Sequence, residues 1–346
     1  LENHSILNSK GEIVFFNLDQ FKKDIIEGKC CFICGAKPGS KKFNNEHVIP
    51  NWILKRFNLH SEKINLTNGT KIKYGHYKVP CCQECNTELG KTYEIPISKL
   101  LDKNYNEVIE ELNRDKEKIK LLYLWLCLIY FKTYLKDNYL RADQKLGENS
   151  PNIGDEHYWE DMHHIHCMAR SHYTNAIIHP DVFGTILIYP SISDQNYDYV
   201  DSHLGKTVML ELDDFCIIVN LNDACAGKSV FYDQLIKIKG PLNKPQNREI
   251  ISNLNFINLS LKQRPIFKSL IDNKGDYHII VELPEKWYLL KEEERLVSSP
   301  GQFLRRYVEP IMGEFDGKKQ ILQDLENNRR SYLFNEKGEF TDYSNN

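Results

Sequence analysis

Two cysteine pairs with the same internal spacing constrain this chain more than any other feature: Cys31-Phe32-Ile33-Cys34, followed by Gly35, and Cys82-Gln83-Glu84-Cys85. Each pair offers two thiolates from one tight turn, and together they supply the four soft donors of a tetrahedral Zn(II) site. Gly35 suits the first turn, because glycine accepts the positive φ that lets a backbone amide approach sulfur. Cys30 and Cys81 each stand one residue ahead of a pair, which leaves the ligand register open between a two- and a three-residue spacing. Metal binding of this type contributes about 10–16 kcal/mol in small zinc peptides. Residues 30–96 are therefore expected to form a module that depends on its metal.

The 346 residues are 41% hydrophobic and 27% charged, enough to bury one large core or a few smaller ones and incompatible with a disordered tail. The net charge of −3 excludes a global positive field. The first hundred residues nevertheless carry 15 Lys and Arg against 10 Asp and Glu, so a contact with a polyanion is expected there. Ten cysteines are too few for a secreted disulfide scaffold. Four of them, Cys127, Cys167, Cys216 and Cys225, sit among apolar neighbours and read as buried core thiols. The longest nearly uninterrupted apolar run, residues 121–131, falls short of the roughly twenty residues that a bilayer core requires. With Lys118, Lys120 and Lys132 at its ends it reads as a buried helix. Residues 1–11 show no basic, apolar leader pattern. No membrane partner and a cytoplasmic location are expected.

The hydrophobic periods point to an α+β chain in four parts. Residues 1–29 form a lead-in, with a strand over 12–16, Asn17 as helix cap and a helix ending at Gly28. Residues 30–96 form the cysteine-rich module, which Pro96 closes. Residues 97–180 are helical, with Leu121, Leu124, Trp125, Leu128 and Phe131 at helical spacing and a second helix capped by Asp155. Residues 181–346 are mixed α/β, with strands at 184–189, 208–212, 215–221 and 277–283 and a hairpin turn at Asp213-Asp214.

Between the cysteine pairs lies Asn45-Glu46-His47-Val48-Ile49-Pro50, and Asn86 follows the second pair directly. The residue types suit phosphodiester hydrolysis. A histidine is a base at neutral pH, a carboxylate is a hard ligand for Mg(II) or Mn(II), and an amide oxygen is a second, neutral one. Adjacent strand residues point to opposite faces, so Glu46 and His47 share one site only if the strand is irregular there.

The order of zinc knuckle, acid plus His, branched pair, Pro, second knuckle and Asn resembles the HNH endonucleases, whose catalytic unit is the ββα-metal fold. The resemblance covers residues 30–96 alone. It implies His47 as general base, Glu46 and Asn86 as ligands of the catalytic cation, and Cys31, Cys34, Cys82 and Cys85 as ligands of a structural zinc. It also implies DNA as the partner, with RNA left open, and a setting in bacterial restriction or anti-phage defence. The sequence departs from the family pattern where an Asn usually braces the loop holding the base: Tyr77 stands there, with His76 beside it. Among the lysines and arginines around the motif, Lys55, Arg56 and Lys91, together with His76, are the candidates for phosphate contact. The alternative reading is a zinc ribbon without catalysis that binds nucleic acid or acts as an adaptor. Six histidines between residues 157 and 179 raise the question of a second metal site, since His157, Asp161 and His164 share one helix side. The region from 97 to 346 carries no readable motif and is the expected seat of target choice, of homo-oligomer formation or of an activating partner.

Overall fold

The computed structural model describes residues 4–66, 68–193 and 196–344. Of the segment read for a leader, residues 1–3 lie outside the described residues. The chain is α+β and divides into two compact units, one of Leu1–Asp102, Glu111–Pro180 and Phe267–Ile280, the other of Lys103–Glu110, Asp181–Ile266 and Val281–Asn346.

The first unit is built around one long helix, Lys116–Asp137, started by the Asp115 side chain, which accepts from the Glu117 N–H. Leu122, Trp125, Leu126, Leu128, Ile129, Tyr130 and Phe131 are all buried, so the helix is apolar on every side and has elements packed all round it. Among the described residues no helix is long and apolar enough to cross a membrane. The lead-in strand Ile13–Phe15 pairs antiparallel with Ile6–Leu7. Asn17 caps the helix that follows, as its side chain accepts from the Gln20 N–H.

In the cysteine-rich segment, a two-residue strand Glu46–His47 pairs antiparallel with Lys78–Val79. A second small ladder, Lys63–Asn65 with Lys71–Lys73, lies between them in sequence. A helical run then goes from Gln83–Leu89 through a π-helical turn, Gly90–Glu94, into Ile95–Leu101. Pro96 thus lies inside a helix instead of ending one. It stands at the first turn after the π segment, where its missing N–H is tolerated.

The helix Trp159–Ala169 packs along the long helix. Asp155 does not cap it: that residue belongs to a separate 3-10 turn, Ile153–Glu156, where its carboxylate accepts from the Asn152 N–H. The histidines of this stretch are not surface decoration. Nε2 of His163 donates to the Phe16 carbonyl at 2.7 Å, and Nε2 of His166 donates to the Phe32 carbonyl at 2.7 Å. His164 stacks on Phe267 with ring centroids 3.6 Å apart. Phe267 is brought there by the strand Ile266–Ile271, which joins Tyr277–Glu282 and Ile177–Ile178 in a three-stranded sheet. His157 faces Asp137 at 3.2 Å. The three residues read as a possible second metal site are therefore not gathered at one, and among the described residues Cys31, Cys34, Cys82 and Cys85 are the one group that could hold a metal ion.

The second unit contains a four-stranded antiparallel sheet in the order Ile186–Pro190, Phe215–Asn220, Thr207–Leu212, Tyr197–Ser202. Its two inner strands meet at the Asp213-Asp214 turn, with Asp213 at φ +48, and are buried along their whole length. The helix Lys244–Leu259 packs on this sheet. Its buried face is unusually polar: Asn255 donates to the Tyr307 hydroxyl at 2.6 Å and Asn258 to the Gly205 carbonyl at 2.8 Å. The strands Tyr197–Ser202 and Ile266–Ile271 were not visible in the sequence pattern. Of the four isolated cysteines, Cys127, Cys167 and Cys216 are buried, whereas Cys225 is exposed, because it caps a short helix with a left-handed backbone instead of facing the core.

Burial holds His164 at about 3 and His172 at about 4, well below the ordinary 6.5, so both fold as neutral bases. Below that ordinary value the unfolded chain takes up protons that the folded chain refuses. Stability is whole above pH 6.5 and is lost as pH falls toward the folded values. Relative to His164→Phe, which keeps the stack on Phe267, wild type should lose up to about 1.4 kcal/mol per pH unit below about 6.5. Urea unfolding of both proteins between pH 7 and 4.5 measures this; parallel curves would contradict it.

Candidate metal centre and adjoining cleft

Cys31 and Cys34 come from the first knuckle, Cys82 from the cap of the Gln83–Leu89 helix and Cys85 from its first turn. Their four sulfurs all lie within 4.8 Å of one another, and Cys34 Sγ and Cys82 Sγ are 3.8 Å apart. With Zn–S bonds of about 2.3 Å, a sulfur tetrahedron has edges of about 3.8 Å, so the donor set fits a structural metal such as zinc. The geometry selects the two-residue spacing in both pairs. Cys30 Sγ instead points back to the Gly28 carbonyl at 3.8 Å, and Cys81 Sγ, though 4.0 Å from Cys31 Sγ, is not one of the four mutually close sulfurs. S–H donors from Cys34, Cys81 and Cys85 lower the Cys31 thiol from its ordinary value, against the opposing effect of burial.

The first knuckle closes by Cys31 N–H to Ala36 O and Gly35 N–H to Cys31 O, both at 2.8 Å. Gly35 has φ +74, and a Cβ there would meet the Phe16 ring at 2.8 Å, so the position requires glycine twice over. The tight turn leaves the Phe32 and Ile33 carbonyls facing the interior, where unpaired acceptors are costly. His166 satisfies the first, and Arg170 Nε the second at 2.8 Å. The rest of the Arg170 guanidinium donates to Val14 and Ile13 carbonyls, both at 2.9 Å, and its plane lies over Phe16.

Beside the cluster is a cleft of about 370 Å³. Glu46, His47 and Asn86 all line it. The adjacent Glu46 and His47 reach one cleft because their strand is only two residues long and follows Asn45, which has φ +51. Asn86 donates its amide to Asn44 Oδ1 at 3.0 Å, which turns its own Oδ1 away from that partner. His47 is lowered to about 4, mainly by burial and then by Lys78, with Glu46 opposing, so the imidazole is neutral at pH 7. His60 stands edge-on to it, with ring centroids 6.3 Å apart, and bonds Asn51 Oδ1 at 3.0 Å.

The basic candidates sit elsewhere. Lys55, Lys91 and His76 are exposed, and none of them lines the cleft. Arg56 is committed to structure, donating to the Leu101 carbonyl at 2.8 Å and facing Asp102 at 3.5 Å. Tyr77 is buried, with its carbonyl accepting the Val48 N–H at 2.9 Å and its hydroxyl donating to Thr133 O at 3.3 Å. It supports the segment after His47 through its backbone.

Two residues of this site escape a sequence reading. Lys132, only 1% exposed, bonds Glu46 Oε1 at 2.9 Å and the His47 carbonyl at 2.8 Å. It is no solvated end of the apolar run: it follows Leu128 by four and precedes Leu135 by three, both buried, which was the available signal. Glu94 is the other. Asn86, Gly90, Glu94 and Ser98 line the cleft at intervals of four. A regular α-helix would drift about 40° at each such step, and the wider π turn at Gly90–Glu94 absorbs the drift. Glu94 Oε1 accepts from Trp125 Nε1 at 3.2 Å, while its Oε2 is shut off from solvent with no protein hydrogen bond.

No family model, curated protein or solved structure matches this chain.

Cys34→Ser and Cys85→Ser should each lose the bound metal, whereas Cys30→Ser and Cys81→Ser should keep one zinc per chain by elemental analysis. Equal loss in all four would overturn the register. Lys132→Met leaves Glu46 as a buried, unpaired carboxylate and should cost about 3–5 kcal/mol in urea unfolding, most of it recovered in Lys132→Met/Glu46→Gln.

Proposed function

We propose that this chain is a metal-dependent endonuclease of the HNH type that hydrolyses phosphodiester bonds in DNA. On this reading the strand pair of Glu46–His47 with Lys78–Val79 and the following helix form the ββα-metal unit. The observation that supports it is the convergence of Glu46, His47 and Asn86 on one cleft beside the four-cysteine cluster.

His47, neutral at pH 7, takes the proton of the attacking water. Glu46 and the Asn86 amide oxygen are the hard donors that would hold Mg(II) or Mn(II), a choice that suits their chemistry. Such a cation, when bound, neutralises charge that builds on the phosphate oxygens. The exposed Lys55, Lys91 and His76 serve flanking phosphates, and the second unit supplies target choice or assembly. A role in restriction or anti-phage defence follows from the same resemblance.

One observation favours the adaptor reading: Lys132 already neutralises Glu46, as it would in an inert zinc ribbon. The two readings separate on plasmid DNA and a matched RNA with Mg(II) or Mn(II). Wild type should cleave and His47→Ala should be slower by about 100- to 10,000-fold, with zinc content and melting temperature unchanged. Absence of cleavage of both nucleic acids by wild type would support the adaptor.

A further inference from the structure

We propose that Lys132 is a positioning residue of this cleft: its buried ammonium holds Glu46 and His47 together and screens the Glu46 carboxylate, so that a divalent cation binds firmly only once a phosphodiester is present. The inference rests on the nuclease reading and adds to it the order in which metal and nucleic acid bind.

Adjacent residues of a strand face opposite sides, yet Glu46 and His47 line one cleft. Their strand is too short to fix both, since its ladder with Lys78–Val79 spans two residues. One atom ties them: Lys132 Nζ donates to Glu46 Oε1 at 2.9 Å and to the His47 carbonyl at 2.8 Å. That atom is itself anchored. Lys132 is 1% exposed in the long helix Lys116–Asp137, between Phe131 and Thr133, which are buried with it. A surface lysine keeps its charged head in water and swings aside when a cation arrives; this one is enclosed and stays.

The charges follow from this arrangement. Oε1 is taken, which leaves Oε2 as the Glu46 oxygen for a cation, and the negative charge of the carboxylate is already balanced by the ammonium. Asn86 contributes a neutral amide. The other carboxyl of the cleft, Glu94, is turned to the Trp125 indole. The affinity of an oxygen site for a hard cation rises with its count of charged ligands, and Mg(II) is commonly held by one or two carboxylates completed by substrate phosphates. With one carboxylate available, and that one paired, the cleft lacks the charge to hold such an ion by itself. A phosphodiester brings the missing negative charge. Lys132 also opposes a divalent ion at Glu46 directly, because like charges at short range repel strongly where solvent is scarce.

Calorimetry of the full chain with Mn(II) tests this, with and without a DNA duplex, on a His47→Ala background that blocks cleavage. With Lys132 in place, the duplex should tighten Mn(II) binding by about tenfold or more. Lys132→Met should bind Mn(II) alone about tenfold more tightly, lose most of the effect of the duplex, and gain more in melting temperature from Mn(II) than the parent does. With His47 restored, Lys132→Met should cleave plasmid more slowly at saturating Mn(II), because the carboxylate and the base are no longer held. Loss of a merely structural lysine does not give tighter metal together with slower turnover. Unchanged or weaker Mn(II) binding by Lys132→Met overturns the inference and leaves the nuclease reading standing, as does parent binding that ignores the duplex. A wild type that neither cleaves plasmid nor binds Mn(II) in its presence overturns both. Should Lys132→Met fail to fold, Lys132→Gln, which keeps an N–H donor without the charge, carries the same comparison: tighter Mn(II) binding supports the inference and unchanged binding overturns it.

Discussion

The four-sulfur cluster is the constraint on which the first unit depends, and its influence extends past its own atoms. Closing a knuckle around Cys31 and Cys34 forces two carbonyls inward, and those carbonyls need donors that the knuckle lacks. His166 and Arg170 provide them from another part of the chain, and Arg170 also holds the lead-in strand through the Val14 and Ile13 carbonyls. Cysteine cluster, lead-in and helical layer are therefore mutually conditional. A fully buried guanidinium is expensive unless it is hydrogen-bonded, and here its cost is offset by three carbonyls that would otherwise be orphaned.

A second arrangement, of charge, shapes the cleft. Two carboxyl groups and one ammonium group sit in a poorly solvated region. Lys132 bonds Glu46 directly and influences Glu94 only at longer range. Proximity to the cation decides which acid is held as an ion pair and which is left to the indoles. The sequence separation between Glu46 and Lys132 means that this division exists only in the folded chain.

The elements with strong local signatures were legible in advance: the knuckles from their cysteine spacing, the Asn17 cap, the long apolar helix, and the strands around Asp213-Asp214. The group of cysteines that could hold a metal was legible too, although its register was not, because Cys30 and Cys81 differ from their neighbours only in where the backbone turns them. The convergence of Glu46, His47 and Asn86 on one cleft was an expectation drawn from motif order. What stayed hidden depends on long-range packing. Lys132 read only as the end of the apolar run because its partner lies far away in sequence. The roles of His163 and His166 were hidden because the carbonyls they serve belong to the lead-in and the first knuckle. Glu94 was hidden by the π turn, since α-helical arithmetic turns it away from Asn86, and Pro96 suggested a boundary where the helix continues.

That π turn makes part of the cleft separable from its scaffold. Excising a single codon within residues 90–94 would rewind the helix by about 100° for everything after it, carrying Ser98 and its neighbours off the cleft wall. Asn86, both knuckles and the strand bearing His47 lie upstream and would keep their places. One in-frame deletion thus divides this wall into a half answerable to the cysteine staple and a half answerable to helical phase.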